Sequence, residues 1–182
     1  ENIELEVLEN TNSIFLNSLG IEVTSASLEV DKKEVNILSV EYLEDEERIC
    51  LSSENEIVKG SYILHIKFKS DITDDLKGFY KSKYLTKENE EKWIATTQFE
   101  PTSARNAFPC WDEPEYKAVF SITIIADKKL LRVSNEKVLE EKETKDNKVE
   151  TTFVDSMKMS TYLVAFVVGE LEATEIGSVG ST

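Results

Sequence analysis

Apolar and polar side chains alternate with a period of two through most of the chain, most clearly over residues 61–70. There Tyr62, Leu64, Ile66 and Phe68 take one face, His65, Lys67 and Lys69 take the other, and Ile63 alone breaks the pattern. Successive side chains of a strand point to opposite faces, so this run predicts an antiparallel strand with one buried and one wet face. Similar runs predict strands at residues 3–8, 13–16, 21–28, 35–42, 48–52, 93–98, 118–126, 131–134 and 149–154. Residues 161–168 are apolar on both faces and predict a central strand covered on each side. Short strands at roughly ten-residue spacing, separated by polar or Gly-containing turns, indicate an all-β antiparallel sandwich or meander.

Two charge-rich stretches, residues 88–92 and 136–148, lack apolar periodicity and read as solvated hairpin tips. Residues 103–108 read as one helical turn behind Pro101. One folded domain is expected over residues 1–172, with residues 173–182 as a linker or cut end. Ile3 starts a strand with no turn before it, so the expectation is a piece of a longer protein that starts one or two strands late and leaves a sheet edge exposed.

Composition narrows the function classes. The chain has 182 residues, 40% of them hydrophobic, enough for one sizeable core. Its formal net charge of -15 repels phosphate backbones and anionic headgroups, which argues against nucleic acid. No apolar run approaches the roughly 18 residues of a membrane helix. Cys50 and Cys110 show neither zinc-ribbon spacing nor disulfide-scaffold density and read as buried thiols. The absence of any Asn-x-Ser/Thr acceptor leans toward a cytoplasmic setting.

The sequence shows no catalytic engine of its own. Hydrolytic zinc needs three protein ligands, typically His and Glu, whereas His65 is the one histidine and sits on the charged face of a strand. The same shortage stands against Ser-His-Asp and Cys-His arrangements, and no phosphate-cradling Gly loop is present. Asp112 and Glu113 are adjacent, so on an extended backbone they diverge and serve better as caps or as ion-pair partners of Arg105 or Lys117. Glu100 differs, because it lies between Phe99 and Pro101 at the end of a strand and Gln98 shares its face. A carboxylate beside an amide suits recognition of a cationic amine; satisfying local backbone groups is the alternative.

The run Thr97-Gln98-Phe99-Glu100-Pro101-Thr102-Ser103-Ala104-Arg105-Asn106-Ala107-Phe108-Pro109-Cys110-Trp111-Asp112-Glu113-Pro114, followed by Lys117-Ala118-Val119-Phe120, resembles the N-terminal domain signature of the zinc aminopeptidases that include the alanyl and puromycin-sensitive enzymes. Gly78-Phe79-Tyr80-Lys81-Ser82-Lys83-Tyr84 is similar to a second segment of that family, with Lys81 in place of its usual arginine. Ser134-Asn135 and the run from Met159 to Gly169 fall in the expected order. The resemblance implies a saddle-like antiparallel β-sandwich that packs on a thermolysin-like catalytic domain of the same protein. It implies no catalytic residue and no metal ligand here, the zinc lying in that other domain. It matches Glu100 to a carboxylate that helps bind the free α-amino group of a peptide substrate, and Gln98 to a residue beside the first side-chain pocket.

An aminopeptidase must hold that amine so that the first peptide bond falls on the metal, and a fixed anion supplies the ruler. The loop behind it then needs rigidity. Pro101, Phe108, Pro109, Trp111 and Pro114 are expected to fix it, Arg105, Asp112 and Glu113 to ion-pair within it, and a cis bond before Pro101 costs only about 0.5–1 kcal/mol. Two other readings stay open. An acidic β-sandwich binding module is excluded by nothing in residues 1–75, and is separated from the first reading if Gln98 and Glu100 face a groove with an apolar patch left for a second domain. A glycosidase would need Glu100 and Asp112 or Glu113 about 5–9.5 Å apart across a sugar cleft.

Overall fold

A computed structural model describes residues 1–173, leaving aside the side chains of residues 34–37. The described residues form fourteen strands: β1 (Asn2–Val7), β2 (Thr11–Asn17), β3 (Glu22–Val30), β4 (Lys33–Ile37), β5 (Ser39–Leu43), β6 (Arg48–Ile57), β7 (Gly60–Lys69), β8 (Gly78–Leu85), β9 (Glu91–Gln98), β10 (Thr123–Asp127), β11 (Leu131–Ser134), β12 (Val138–Glu143), β13 (Lys148–Phe153) and β14 (Phe166–Gly169). They pair antiparallel in four sheets ordered β1-β7-β3-β4, β2-β6-β5, β11-β14-β9-β8 and β10-β13-β12. Among the described residues helical ones are confined to three 3₁₀ turns, Glu44–Glu46, Ala104–Asn106 and Thr161–Leu163, so the fold is an all-β, sandwich-like domain.

Alternation explains the first core. Tyr62, Leu64 and Ile66 of β7 are buried beside Leu28 of β3, and they pack with Leu16, Ile49, Leu51 and Ile57 of the β2-β6-β5 sheet. Two sheets each hide one face, which is the sandwich condition. On the outer face His65 is held at both ring nitrogens, Nδ1 2.7 Å from Asn2 Oδ1 and Nε2 2.9 Å from Glu29 Oε2. A second, smaller core gathers Phe99, Ala104, Cys110, Met159 and Val164, with Phe108, Phe120 and Phe166 against it.

Several expected boundaries are corrected. The strand expected at residues 35–42 is two strands in different sheets, broken where Leu38 N–H donates to Ala26 O at 2.9 Å. The stretch at 136–148 is no mere hairpin tip, since it contains β12, an edge strand exposed along its whole length. Residues 161–168 are not one covered strand: Thr161–Leu163 is a 3₁₀ turn, Ala165 is exposed, and the inner strand β14 is only four residues long. Of residues 118–126 only Thr123–Asp127 is a strand, the preceding part being joined to the opposite segment by a bridge from Ala118 to Met159 and by hydrogen bonds from Ser156 N–H to Phe120 O and Phe153 N–H to Ile122 O. The segment beginning at Gly78 is strand β8, which its alternating Lys81, Lys83 and Leu85 on an exposed face would have allowed. The linker expected at residues 173–182 lies outside the described residues from 174 onward.

Candidate functional site

Phe99 follows directly on β9 and is 2% exposed, its ring edge-on to Phe108 at 5.8 Å and to Phe166 at 6.1 Å. Burying one aromatic there fixes its neighbours in the opposite sense: Gln98 and Glu100 are both exposed. Gln98 Nε2 donates to the backbone oxygen of Glu100 at 3.3 Å. Among the described residues neither a cation nor a hydrogen-bond donor pairs with the Glu100 carboxylate. A carboxylate on a core-anchored turn and without an internal partner is available to a ligand's cation.

The turn behind Glu100 is closely tied. The Glu100–Pro101 peptide is cis. Ser103 N–H donates to Phe99 O at 2.8 Å, and Ala107 and Phe108 N–H both donate to Ala104 O. Across the ladder from Gln98 stands Gly78, with φ +65°, and a Cβ there would lie 2.6 Å from Asn106 Cβ. Only glycine lets β8 come so close to the turn.

Arg105 and Asp112 meet inside the protein. Asp112 is 2% exposed; its Oδ2 accepts from Arg105 backbone N–H at 3.3 Å and Arg105 Nε at 3.1 Å, and its Oδ1 accepts from Thr161 Oγ1 at 2.8 Å. Arg105 Nη1 also donates to Glu47 Oε2 at 2.9 Å, and Asp112 N–H donates to Asn17 Oδ1 at 3.1 Å. A buried carboxylate is tolerable when its oxygens are so satisfied. Glu113 is exposed and, among the described residues, makes no ion pair; the same holds for Lys117. Adjacent side chains diverge, so one carboxylate of the pair goes in and the other out. Asp112 is thus committed to Arg105 and Thr161, so it forms no facing acid/base pair with Glu113 and is not free to serve as a partner of Glu100 across a sugar cleft.

Pro109, Cys110 and Trp111 span the seam between the two cores. Pro109 and Cys110 are buried, Cys110 in the second core, while Trp111 packs on the first. The backbone there is stitched to β2 by Asn17 N–H to Cys110 O at 2.8 Å and Cys110 N–H to Asn17 O at 3.1 Å. Burial pushes the Cys110 thiol well above its ordinary range, with Asp112 nearby adding to the effect, so it is a packing residue and not a nucleophile.

The sequence reasoning missed Asn17, Glu47 and Thr161 as partners of this network. Thr161 falls in a run that the family resemblance covers, but nothing local marks it as a ligand of Asp112. A groove with an apolar patch at Gln98 and Glu100 is the feature that separates a peptidase domain from a binding module, and one apolar groove of the domain is built from other residues. An open groove of about 630 Å³ is lined by Phe79, Trp93, Ile124, Leu130, Phe166 and Val168, with Lys81 Nζ 5.6 Å above the Trp93 ring, and neither Gln98 nor Glu100 lines it. Phe79 stands opposite Thr97, so alternation puts Gln98 on the other face of β9.

Among the described residues no three His, Cys, Asp or Glu side chains converge as metal ligands. No helix among them is long and apolar enough to cross a membrane. The arrangement is that of an all-β domain which presents the Glu100 carboxylate from a turn anchored in the second core.

Residues 1–163 match the Peptidase M1 N-terminal domain, and the chain belongs to that family. It is 41% identical over 172 residues to Aminopeptidase 2 of Candida albicans, covering 94% of this chain and 18% of that protein. Endoplasmic reticulum aminopeptidase 1 of Homo sapiens is 35% identical over 175 residues, covering 94% of this chain and 19% of its own length. Puromycin-sensitive aminopeptidase of Caenorhabditis elegans is 51% identical over 110 residues, 60% of this chain and 12% of that protein. The chain therefore spans no more than about a fifth of the length of these relatives.

Proposed function

We propose that this domain forms part of the substrate site of a zinc aminopeptidase, in which Glu100 holds the protonated α-amino group of a peptide and Gln98 lies beside the first side chain. The observation that carries this reading is the Glu100 carboxylate: exposed, anchored through buried Phe99, and without a partner among the described residues. Family membership supports the aminopeptidase context. An amine held by a fixed anion places the first peptide bond at a set distance from the reacting centre, so the contribution of Glu100 is orientation.

The residues described here do not fit zinc, and no step of the hydrolysis is assigned to them. The metal and its ligands are proposed to lie in a thermolysin-like catalytic domain elsewhere in the same protein, against which residues 1–172 pack as a unit. A cytoplasmic setting is proposed from the missing glycosylation acceptor.

The test is steady-state kinetics of the full-length enzyme on amino-acyl peptides. Glu100→Gln removes the charge and keeps the shape. Losing a charge-assisted hydrogen bond of about 1.5–3 kcal/mol lowers kcat/KM by about 10- to 150-fold. A variant as active as wild type would remove the amine anchor from the account.

A further inference from the structure

The turn that carries Glu100 is clamped at two ends by different means. At one end Phe99 is sunk in the second core. At the other Arg105 is held by its backbone and side chain together: its N–H and Nε reach Asp112 Oδ2 at 3.3 and 3.1 Å, its Nη1 reaches Glu47 at 2.9 Å, and its carbonyl accepts Leu19 N–H at 2.9 Å. Glu100 lies between these ends, with no side-chain bond of its own to fix it among the described residues.

Asp112 is where the network converges. Its carboxylate joins the Ala104–Asn106 turn to the Thr161–Leu163 turn, and its N–H joins both to the end of β2 through Asn17. Burying a charge only to join segments is expensive, and an apolar side chain of similar size could fill the space as cheaply. What such a side chain could not do is fix the direction of Arg105. The planar guanidinium and the backbone N–H of that residue share one carboxylate oxygen, which sets the rotation of the turn as well as its position.

On the reading of Glu100 as an amine anchor, we infer that Asp112 is a positioning residue for substrate: through Arg105 it sets where Glu100 stands, and so sets the affinity for the free amine. Removing its charge loosens the Arg105 end of the turn, leaving the Glu47 and Leu19 contacts to hold it, while Phe99 stays in the core. Glu100 then shifts about the Phe99 end. The amine contact weakens, whereas contacts made by the remainder of the peptide are unchanged.

A double-substitution cycle in the full-length enzyme tests this. Wild type, Asp112→Asn, Glu100→Gln and the double variant are compared for KM and kcat on an amino-acyl peptide, and for inhibition by the des-amino analogue of a peptide inhibitor. Asp112→Asn is expected to raise KM by about 3- to 30-fold, more than it lowers kcat, and to leave des-amino inhibition within about twofold. In the Glu100→Gln background the same substitution is expected to change KM by less than about twofold. Equal effects in both backgrounds, or equal loss for the des-amino analogue, would overturn the positioning role while leaving the anchor intact. A silent Glu100→Gln would sink the anchor reading, and the positioning role with it. Should Asp112→Asn not fold, Thr161→Val removes the Oδ1 donor alone and is expected to give the same pattern in weaker form.

Discussion

Gly78→Ala tests how closely β8 is packed on the turn behind Glu100. Two penalties act there. The backbone has φ +65°, a left-handed conformation that costs an L-residue roughly 1–2 kcal/mol. The new methyl would also lie 2.6 Å from Asn106 Cβ and 3.2 Å from its carbonyl carbon, so part of the turn must move, at a further cost of about 1–3 kcal/mol. Gly20→Ala separates the two, because Gly20 has φ +70° and no atom within 4 Å of the added Cβ. Urea denaturation of the chain is expected to show Gly78→Ala as the less stable variant by about 1–3 kcal/mol, each kcal/mol corresponding to roughly 2–4 °C in Tm. Equal losses would mean that the turn yields freely to β8, and the rigidity argued for Glu100 would lose its support.

Leu64→Ala empties a site that is 0% exposed in the first core and is expected to cost about 2–5 kcal/mol in the same denaturation experiment. Glu170 is held below its ordinary carboxylate value of 4.5 by a hydrogen bond from Lys92, then by one from Lys129. A depressed folded value contributes stability above the ordinary one and loses it as pH falls through the folded one. Wild type is therefore expected to lose stability more steeply than Glu170→Gln below about pH 4.5, read from urea midpoints across the acid range; parallel curves would refute the pairing.

Where alternation was strict and one face was apolar, the sequence sufficed. β7 is legible because Tyr62, Leu64 and Ile66 fall in step, and Phe99 between Gln98 and Glu100 is legible for the same reason. β12 was not, since Val138-Leu139-Glu140-Glu141-Lys142-Glu143 hides neither face and is a strand only because β13 offers it an edge. The break at Leu38 has no turn residue to announce it, and arises because the chain changes sheets there. The ion pair of Arg105 with Asp112 could be proposed from their closeness in sequence. Its other members could not: Thr161, Glu47 and Asn17 reach it across 49, 58 and 95 residues, and a hydroxyl, a carboxylate and an amide on a strand end carry no local mark of so distant a partner.

The most direct test of the central claim is a crystal structure of the full-length enzyme with a peptide inhibitor bearing a free α-amino group. The account predicts a Glu100 carboxylate oxygen about 2.7–2.9 Å from the amine nitrogen, with the Ala104–Asn106 turn still held by Asp112. An amine bound wholly by other residues, with Glu100 turned to solvent or paired elsewhere in the protein, would contradict it.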